Sequence, residues 1–284
     1  MEEAIRKADV LIEALPYIKQ FHKKIVVIKY GGSILGEEKI RRSVLEDLVF
    51  LSFTGLRIVL VHGGGPNISE RLRSVGKKTE FIDGMRVTDE ETLAVVEEEL
   101  KALNETIVKE LTELGARPVG LNGKDKRIIQ VEKKRSKVDL GRVGQIVEIN
   151  PQPILEELKE AKIVVILPMG IDINKKVYNV NADEAASSIA VALGAEKLVM
   201  LTNVRGIMRN PEDPNSLLST LTKEEAKQLM EDKVIQEGMI PKVRACLYAL
   251  EKAVKKTHII DARISHSLLL EIFTDKGIGT EIVV

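Results

Sequence analysis

Residues 57–66 read RIVLVHGGGP, an apolar, β-branched run that ends in three glycines and a proline. A run this uniformly apolar does not suit a strand with one wet face. It suits a parallel sheet covered on both sides. Gly63, Gly64 and Gly65 then supply a turn whose backbone N–H groups can approach an anion, and Pro66 suits the first turn of a helix. Residues 24–33, KIVVIKYGGS, repeat the pattern, with Lys29 at the strand's C-terminal end and Gly31 and Gly32 in the turn. Open parallel sheets bind ligands outside the carboxyl ends of their strands. One glycine turn can serve geometry alone, but two on neighbouring strands predict a site for two anionic groups.

The alternation continues outward. Apolar strand runs stand at 24–30, 57–62, 162–167, 197–202 and 257–260. Helical periodicity occupies 37–53, 66–75, 89–114, 152–160, 182–193, 222–231 and 241–255. This is an α/β chain, expected to form an open, mainly parallel sheet with helices on both faces. Residues 117–149 differ: PVGLNG, RIIQVEKK and VGQIVEI read as short strands joined by turns, so a β-hairpin lid is expected there. PEDPN at 211–215 reads as a surface loop. Ahead of the first strand, Ile5, Ala8, Ile12, Leu15, Ile18 and Phe21 recur every three or four residues, an extra N-terminal helix with a kink expected at Pro16.

Composition narrows the function. The chain has 284 residues, and its 43 basic side chains balance 43 acidic ones. That length allows two domains or one large α/β domain, and one continuous sheet with two jobs is the expectation. Without a basic excess the footprint of a nucleic-acid binder is missing. No apolar run reaches the ~20 residues of a membrane span, and MEEAIRKADV carries no signal-peptide core. One Cys and four scattered His give neither a disulfide nor zinc-ligand spacing. A cytoplasmic protein without nucleic-acid or membrane partners is the expectation.

Familiar phosphate motifs are absent: neither G-x-x-x-x-G-K-[S/T] nor G-x-G-x-x-G occurs. An esterase reading of HGGGP fails for want of a G-x-S-x-G elbow. The later half supplies other polar groups. YNVNADEAA (178–186) sets Asn179, Asn181 and Asp183 at a helix start, where N-capping alone could explain Asn181 or Asp183. KLVMLTNVRGI (197–207) ends a strand at Thr202 and Asn203 and turns at Gly206. GMIPK (238–242) puts Lys242 in a helix's first turn, where its charge opposes the dipole. Such rule-breaking makes sense against a bound polyphosphate.

IKYGGS, HGGGP, FIDGMRVTD, YNVNADEAA, LTNVRGI and GMIPK, in that order, resemble the amino acid kinase superfamily and, within it, the acetylglutamate kinase family. The resemblance runs from Lys24 to Val284, and FIDGMRVTD (81–89) is its most specific stretch. It implies ATP-dependent phosphorylation of the side-chain carboxylate of N-acetyl-L-glutamate, a step of arginine biosynthesis. The kinase domain would be 23–284, with an acetylglutamate-binding lobe at 23–175 and a nucleotide-binding lobe at 176–284. Carried over residue by residue, it puts Lys29 on the transferring phosphoryl group, Lys242 on the leaving side, and Asp183 between both ammonium groups. Gly64 and Gly65 would hold the reacting carboxylate, Arg86 the α-carboxylate and Asn179 the amino-acid portion. Gly31, Gly32, Thr202, Asn203, Gly206 and Val234 would line the nucleotide. Mg²⁺ would sit largely on the phosphates, with no protein metal ligands. Two positions depart from the pattern: Asn203 where many relatives carry Asp, and Glu237 where a second glycine is usual.

The resemblance reaches the arginine-sensitive members. It implies that residues 1–22 form an oligomerisation helix in a hexamer, a trimer of dimers, and that L-arginine is an effector held by Tyr17, His258, Glu271 and Gly277. Rival substrates are N-acetyl-aminoadipate, a carrier-linked acyl amino acid, and free glutamate. A sensor without catalysis is argued against by the survival of both lysines and the aspartate.

Overall fold

In Ile25–Tyr30 and Arg57–His62 the side chains alternate between two buried faces, and that alternation dictates a sheet with helices on both sides. Val26, Ile28, Ile58 and Leu60 join one apolar core, while Val27, Val59 and Val61 join the other. The computed structural model describes residues 1–284 except 32, 161, 162, 211, 236, 237, 275 and 276.

The chain runs α1 (Glu2–Phe21), β1 (Ile25–Tyr30), α2 (Glu38–Phe53), β2 (Arg57–His62), α3 (Gly65–Ser74), β3 (Phe81–Ile82), β4 (Met85–Arg86) and α4 (Glu90–Glu113). It continues through β5 (Pro118–Asn122), β6 (Ile129–Lys133), β7 (Gly144–Ile149), α5 (Gln152–Glu160), β8 (Ile163–Leu167), β9 (Met169–Ile171), β10 (Val177–Asn179) and α6 (Ala182–Ala192). Then follow β11 (Lys197–Thr202), β12 (Thr220–Thr222), α7 (Lys223–Glu231), α8 (Ile240–Glu251), β13 (Lys256–Asp261), α9 (Ser267–Ile272) and β14 (Thr280–Val283). The main sheet has eight strands in the order β12-β14-β13-β11-β1-β2-β8-β5, and every pairing is parallel except β13 with β14. Helices α2 and α4 cover the face carrying Ile28 and Leu60; α6 and α8 cover the face carrying Val27. The open, mainly parallel sheet expected from the sequence is therefore present.

Two local expectations need correction. Only residues 129–149 form the hairpin, β6 with β7, inside a separate four-stranded sheet ordered β10-β9-β6-β7. Pro118–Asn122 instead pairs in parallel with β8 as the main sheet's edge, because Val119 and Leu121 pack on the apolar core. α8 stops at Glu251 instead of 255, where Ala253 takes a left-handed φ of 73°. α1 runs on through Pro16 as one helix. The surface loop around 211–215 includes a short turn at Pro214–Ser216 capped by the Asp213 side chain; its first residue lies outside the described ones.

α1 is half attached. Phe21 is buried with the Lys197 ammonium 4.8 Å from its ring centre, and Tyr17 packs edge-on against Phe273. Its first three turns leave Ile5, Val10, Leu11 and Ile12 exposed. No helix among the described residues is long and apolar enough to cross a membrane.

Candidate active site

Lys29 is the fifth residue of β1 and shares a face with Val27, so it projects towards α6 from the carboxyl edge of the sheet. There its ammonium meets Asp183 in the first turn of α6, with Nζ 3.0 Å from Oδ1. Lys242, in the first turn of α8, reaches the same carboxylate from the other side, with Nζ 3.5 Å from Oδ2. Asn181 caps α6 by accepting from the N–H groups of Asp183 (2.8 Å) and Glu184 (3.1 Å). Capping and chemistry are thus divided between neighbouring residues. Burial alone would raise the Asp183 carboxyl, but the two ammonium groups outweigh it and hold the group below the usual carboxylate range. Burial lowers the Lys242 ammonium despite the attraction of Asp183, and Lys29 adds repulsion.

The glycine turns make this array possible. A Cβ at Gly31 would stand 2.5 Å from Lys29 Nζ, so glycine there clears the ammonium's path. A Cβ at Gly64 would lie 2.8 Å from Leu100 Cδ2, which would push the loop outward. Beneath it, His62 is fully buried: its ring contacts Gly63 O through Nδ1 (3.0 Å) and the Asn104 amide through Nε2 (3.0 Å). With a carbonyl at Nδ1 and an amide N–H₂ at Nε2, the assigned tautomer carries its proton on Nδ1. Burial pushes this imidazole down to about 4, so it is neutral.

Arg86, at the end of β4, is also buried. Its Nη2 donates to Gly65 O (2.9 Å) and Ser69 Oγ (2.8 Å), while Nη1 is buried with no hydrogen-bond partner. Phe81 stacks below the guanidinium at 4.7 Å. Asn179 on β10 donates through Nδ2 to Thr88 Oγ1 (3.3 Å), whose own hydroxyl donates to Arg86 O (2.7 Å). Lys29, Gly64, Gly65, Arg86, Asn179 and Asp183 converge on one cavity of about 210 Å³. Next to it, Thr202, Asn203, Gly206, Val234 and Lys242 line a second of about 230 Å³, walled by Ile207, Ile235 and Met239. Gly31 lines neither; it abuts Lys29 and Gly63, and Gly32 and Glu237 lie outside the described residues. No three His, Cys, Asp or Glu side chains converge as a metal cage among the described residues, and Asp183 is taken up by two ammonium groups.

Tyr17, His258, Glu271 and Gly277 meet in a third cavity of about 400 Å³ beside the N-terminal ends of β11 and β13. His258 Nδ1 is 2.5 Å from Glu271 Oε1, and the Ile278 N–H donates to Oε2 (2.8 Å). Gly277 has φ 60°, and a Cβ there would crowd both Glu271 oxygens at 2.9 Å. Burial would raise the Glu271 carboxyl, yet His258 and the Ile278 N–H hold it below its ordinary value. Lys197 lines the same cavity and went unnoticed in the sequence, as did Ser69 and Phe81 around Arg86. Ser69 did leave a signal, standing one helical turn after Gly65.

Residues 24–261 match the model of the amino acid kinase family. An acetylglutamate kinase of Caldanaerobacter subterraneus subsp. tengcongensis is 50% identical over 281 residues, covering 99% of this chain and 94% of its own. A solved N-acetylglutamate synthase from Neisseria gonorrhoeae, complexed with coenzyme A and N-acetyl-glutamate, superposes with a TM-score of 0.87 at 28% identity over 98% of this chain. This chain spans 63% of that synthase. The same synthase complexed with coenzyme A and L-arginine superposes with a TM-score of 0.83 at 27% identity, over 97% of this chain and 65% of that one.

Proposed function

The chain belongs to the amino acid kinase family and stands within it among the acetylglutamate kinases, and from that premise we propose how its groove works. It transfers the γ-phosphoryl group of ATP to the side-chain carboxylate of N-acetyl-L-glutamate, a step of arginine biosynthesis, in the cytoplasm. The observation that carries the reading is a single carboxylate, Asp183, paired with two lysines that line adjoining cavities. The lobe at 23–175 takes the acid, with Asn179 reaching it from the other lobe, and the lobe at 176–284 takes the nucleotide.

A carboxylate and a triphosphate repel, so catalysis here is alignment and charge neutralisation. The Gly64 and Gly65 N–H groups at the start of α3 hold the attacking carboxylate. The free Nη1 of Arg86 takes the α-carboxylate, a task suited to its planar fork. Asn179 meets the amino-acid portion. One carboxylate oxygen attacks phosphorus as the bond to ADP breaks, giving an acyl phosphate. Lys29 neutralises charge on the moving phosphoryl group, Lys242 neutralises it on the departing ADP, and Asp183 keeps the two ammonium groups in register. Thr202, Asn203, Gly206 and Val234 hold the nucleotide. Mg²⁺ would supply further charge neutralisation on the phosphates; among the described residues no three His, Cys, Asp or Glu side chains come together to hold it.

An ADP-release assay offering acetylglutamate, glutamate and acetyl-aminoadipate side by side tests the reading. Acetylglutamate should be turned over best; no turnover of it would overturn the reading. The third cavity suits L-arginine, because Glu271 offers the anion a guanidinium needs. The exposed stripe of α1 suits assembly of dimers into a hexamer.

A further inference from the structure

We infer that Ser69 is a positioning residue that fixes the span between the two carboxylate subsites, and so the length of acid the enzyme accepts. This rests on the proposed function. A serine one turn into a helix often donates back to the carbonyl four residues earlier, and Ser69 Oγ does so to Gly65 O at 2.9 Å. Here the same hydroxyl also accepts from the buried Arg86, at 2.8 Å from Nη2. Nη2 donates in turn to Gly65 O at 2.9 Å, so hydroxyl, guanidinium and carbonyl close a triangle.

Gly65 belongs to both sides of the site. On the proposed function its N–H holds the reacting carboxylate, and its carbonyl is the fixed point to which the Arg86 clamp is tied. The triangle consumes Nη2 and leaves Nη1 buried, unpartnered and available. Loosening one corner lets the guanidinium swing relative to the glycine turn, and the distance between the two anion subsites then blurs. A substrate one methylene longer would gain relative to acetylglutamate.

The test is steady-state kinetics on the full chain with acetylglutamate, acetyl-aminoadipate and ATP, for Ser69→Ala and Ser69→Thr. Ser69→Ala should raise KM for acetylglutamate about tenfold, the size of one charge-assisted hydrogen bond. Its kcat should stay within about twofold, KM for ATP should hold, and the preference for acetylglutamate over acetyl-aminoadipate should fall at least about threefold. Ser69→Thr keeps the hydroxyl and should restore both KM and preference. An active parent whose Ser69→Ala variant keeps its KM and preference overturns this inference alone. So does a variant that loses kcat on both acids equally and is not rescued by threonine. A parent inactive on acetylglutamate overturns the function and the inference together.

Discussion

Two ammonium groups within 3.5 Å of one buried carboxylate form a charge triad whose members cannot be removed singly without cost. Lys29→Met and Lys242→Met should each lower kcat at least about a hundredfold, the usual effect of losing one electrostatic stabiliser of the transition state. Asp183→Asn should do likewise, since both lysines then face each other without their anion. Stopped assays alongside thermal melts decide it; near-normal turnover by a folded variant would remove that residue from the chemistry. His62 makes a separate prediction. Its ordinary value of 6.5 falls to about 4 on burial, so between those pH values the unfolded chain binds a proton that the folded chain refuses. Stability should therefore fall as pH drops from about 6.5 to 4, by up to about 3 kcal/mol from this group. Urea unfolding at both ends of that window should show a smaller loss in His62→Gln; an equal loss would place the effect elsewhere. Lys242 was legible from sequence because it broke a rule, as a cation at a helix start, while Lys29 was legible by its place at the carboxyl end of an apolar strand beside a glycine turn. His62 and Ser69 broke none.

At the scale of elements, β1, β2, β8 and β11 were readable because strands buried on both faces carry unbroken apolar runs, with polar residues only towards their ends. β3, β4, β9, β10 and β14 were not. Strands of two to four residues hold too few side chains for a period, and their pairing is decided by what packs against them. Arg86 and Asn179 sit on such strands, which is why their partners could not be anticipated even where their roles could. The hairpin β6–β7 joins this region through β9 and through the Asn179 N–H, which donates to Arg142 O (2.9 Å); beside these, Thr88 N–H donates to Leu140 O (3.0 Å), and Arg142 N–H donates to Thr88 O (2.5 Å). Gly141 between them has φ 71°, and a Cβ there would collide with the Thr88 carbonyl. Gly141→Ala should push hairpin and Thr88 apart and disturb Asn179 through its bond to the Thr88 hydroxyl. We expect KM for acetylglutamate to rise at least about threefold, with a lower Tm and a steadier KM for ATP. Unchanged kinetics would show that the Thr88 contact does not position Asn179.

At the scale of the whole molecule, the catalytic groove and the Glu271 cavity lie at opposite ends of the same strand. β11 begins at Lys197, on the Glu271 cavity, and ends at Thr202, on the nucleotide pocket. Five residue steps at about 3.3 Å place these ends roughly 17 Å apart along a fully buried strand. A ligand that tightens one end of so stiff an element can shift the other, and effector coupling of this kind is typically worth 1–3 kcal/mol. On the proposed reading L-arginine is that ligand, and α1 reports its presence to neighbouring subunits because Tyr17 walls the cavity while Ile12 and Leu15 remain exposed. Deleting residues 1–22 would be a poor test, since it also uncovers the pocket filled by Phe21. Ile12→Glu with Leu15→Glu charges the exposed stripe and leaves Phe21 and Tyr17 in place. Light scattering should find the parent as a hexamer and this variant as an active dimer, with arginine inhibition weakened at least about fivefold. Glu271→Ala should abolish inhibition without dissociating the hexamer, because it removes the anion and leaves the stripe intact. A dimeric parent would defeat the assembly half of this prediction, and inhibition that survives Glu271→Ala would defeat the ligand half.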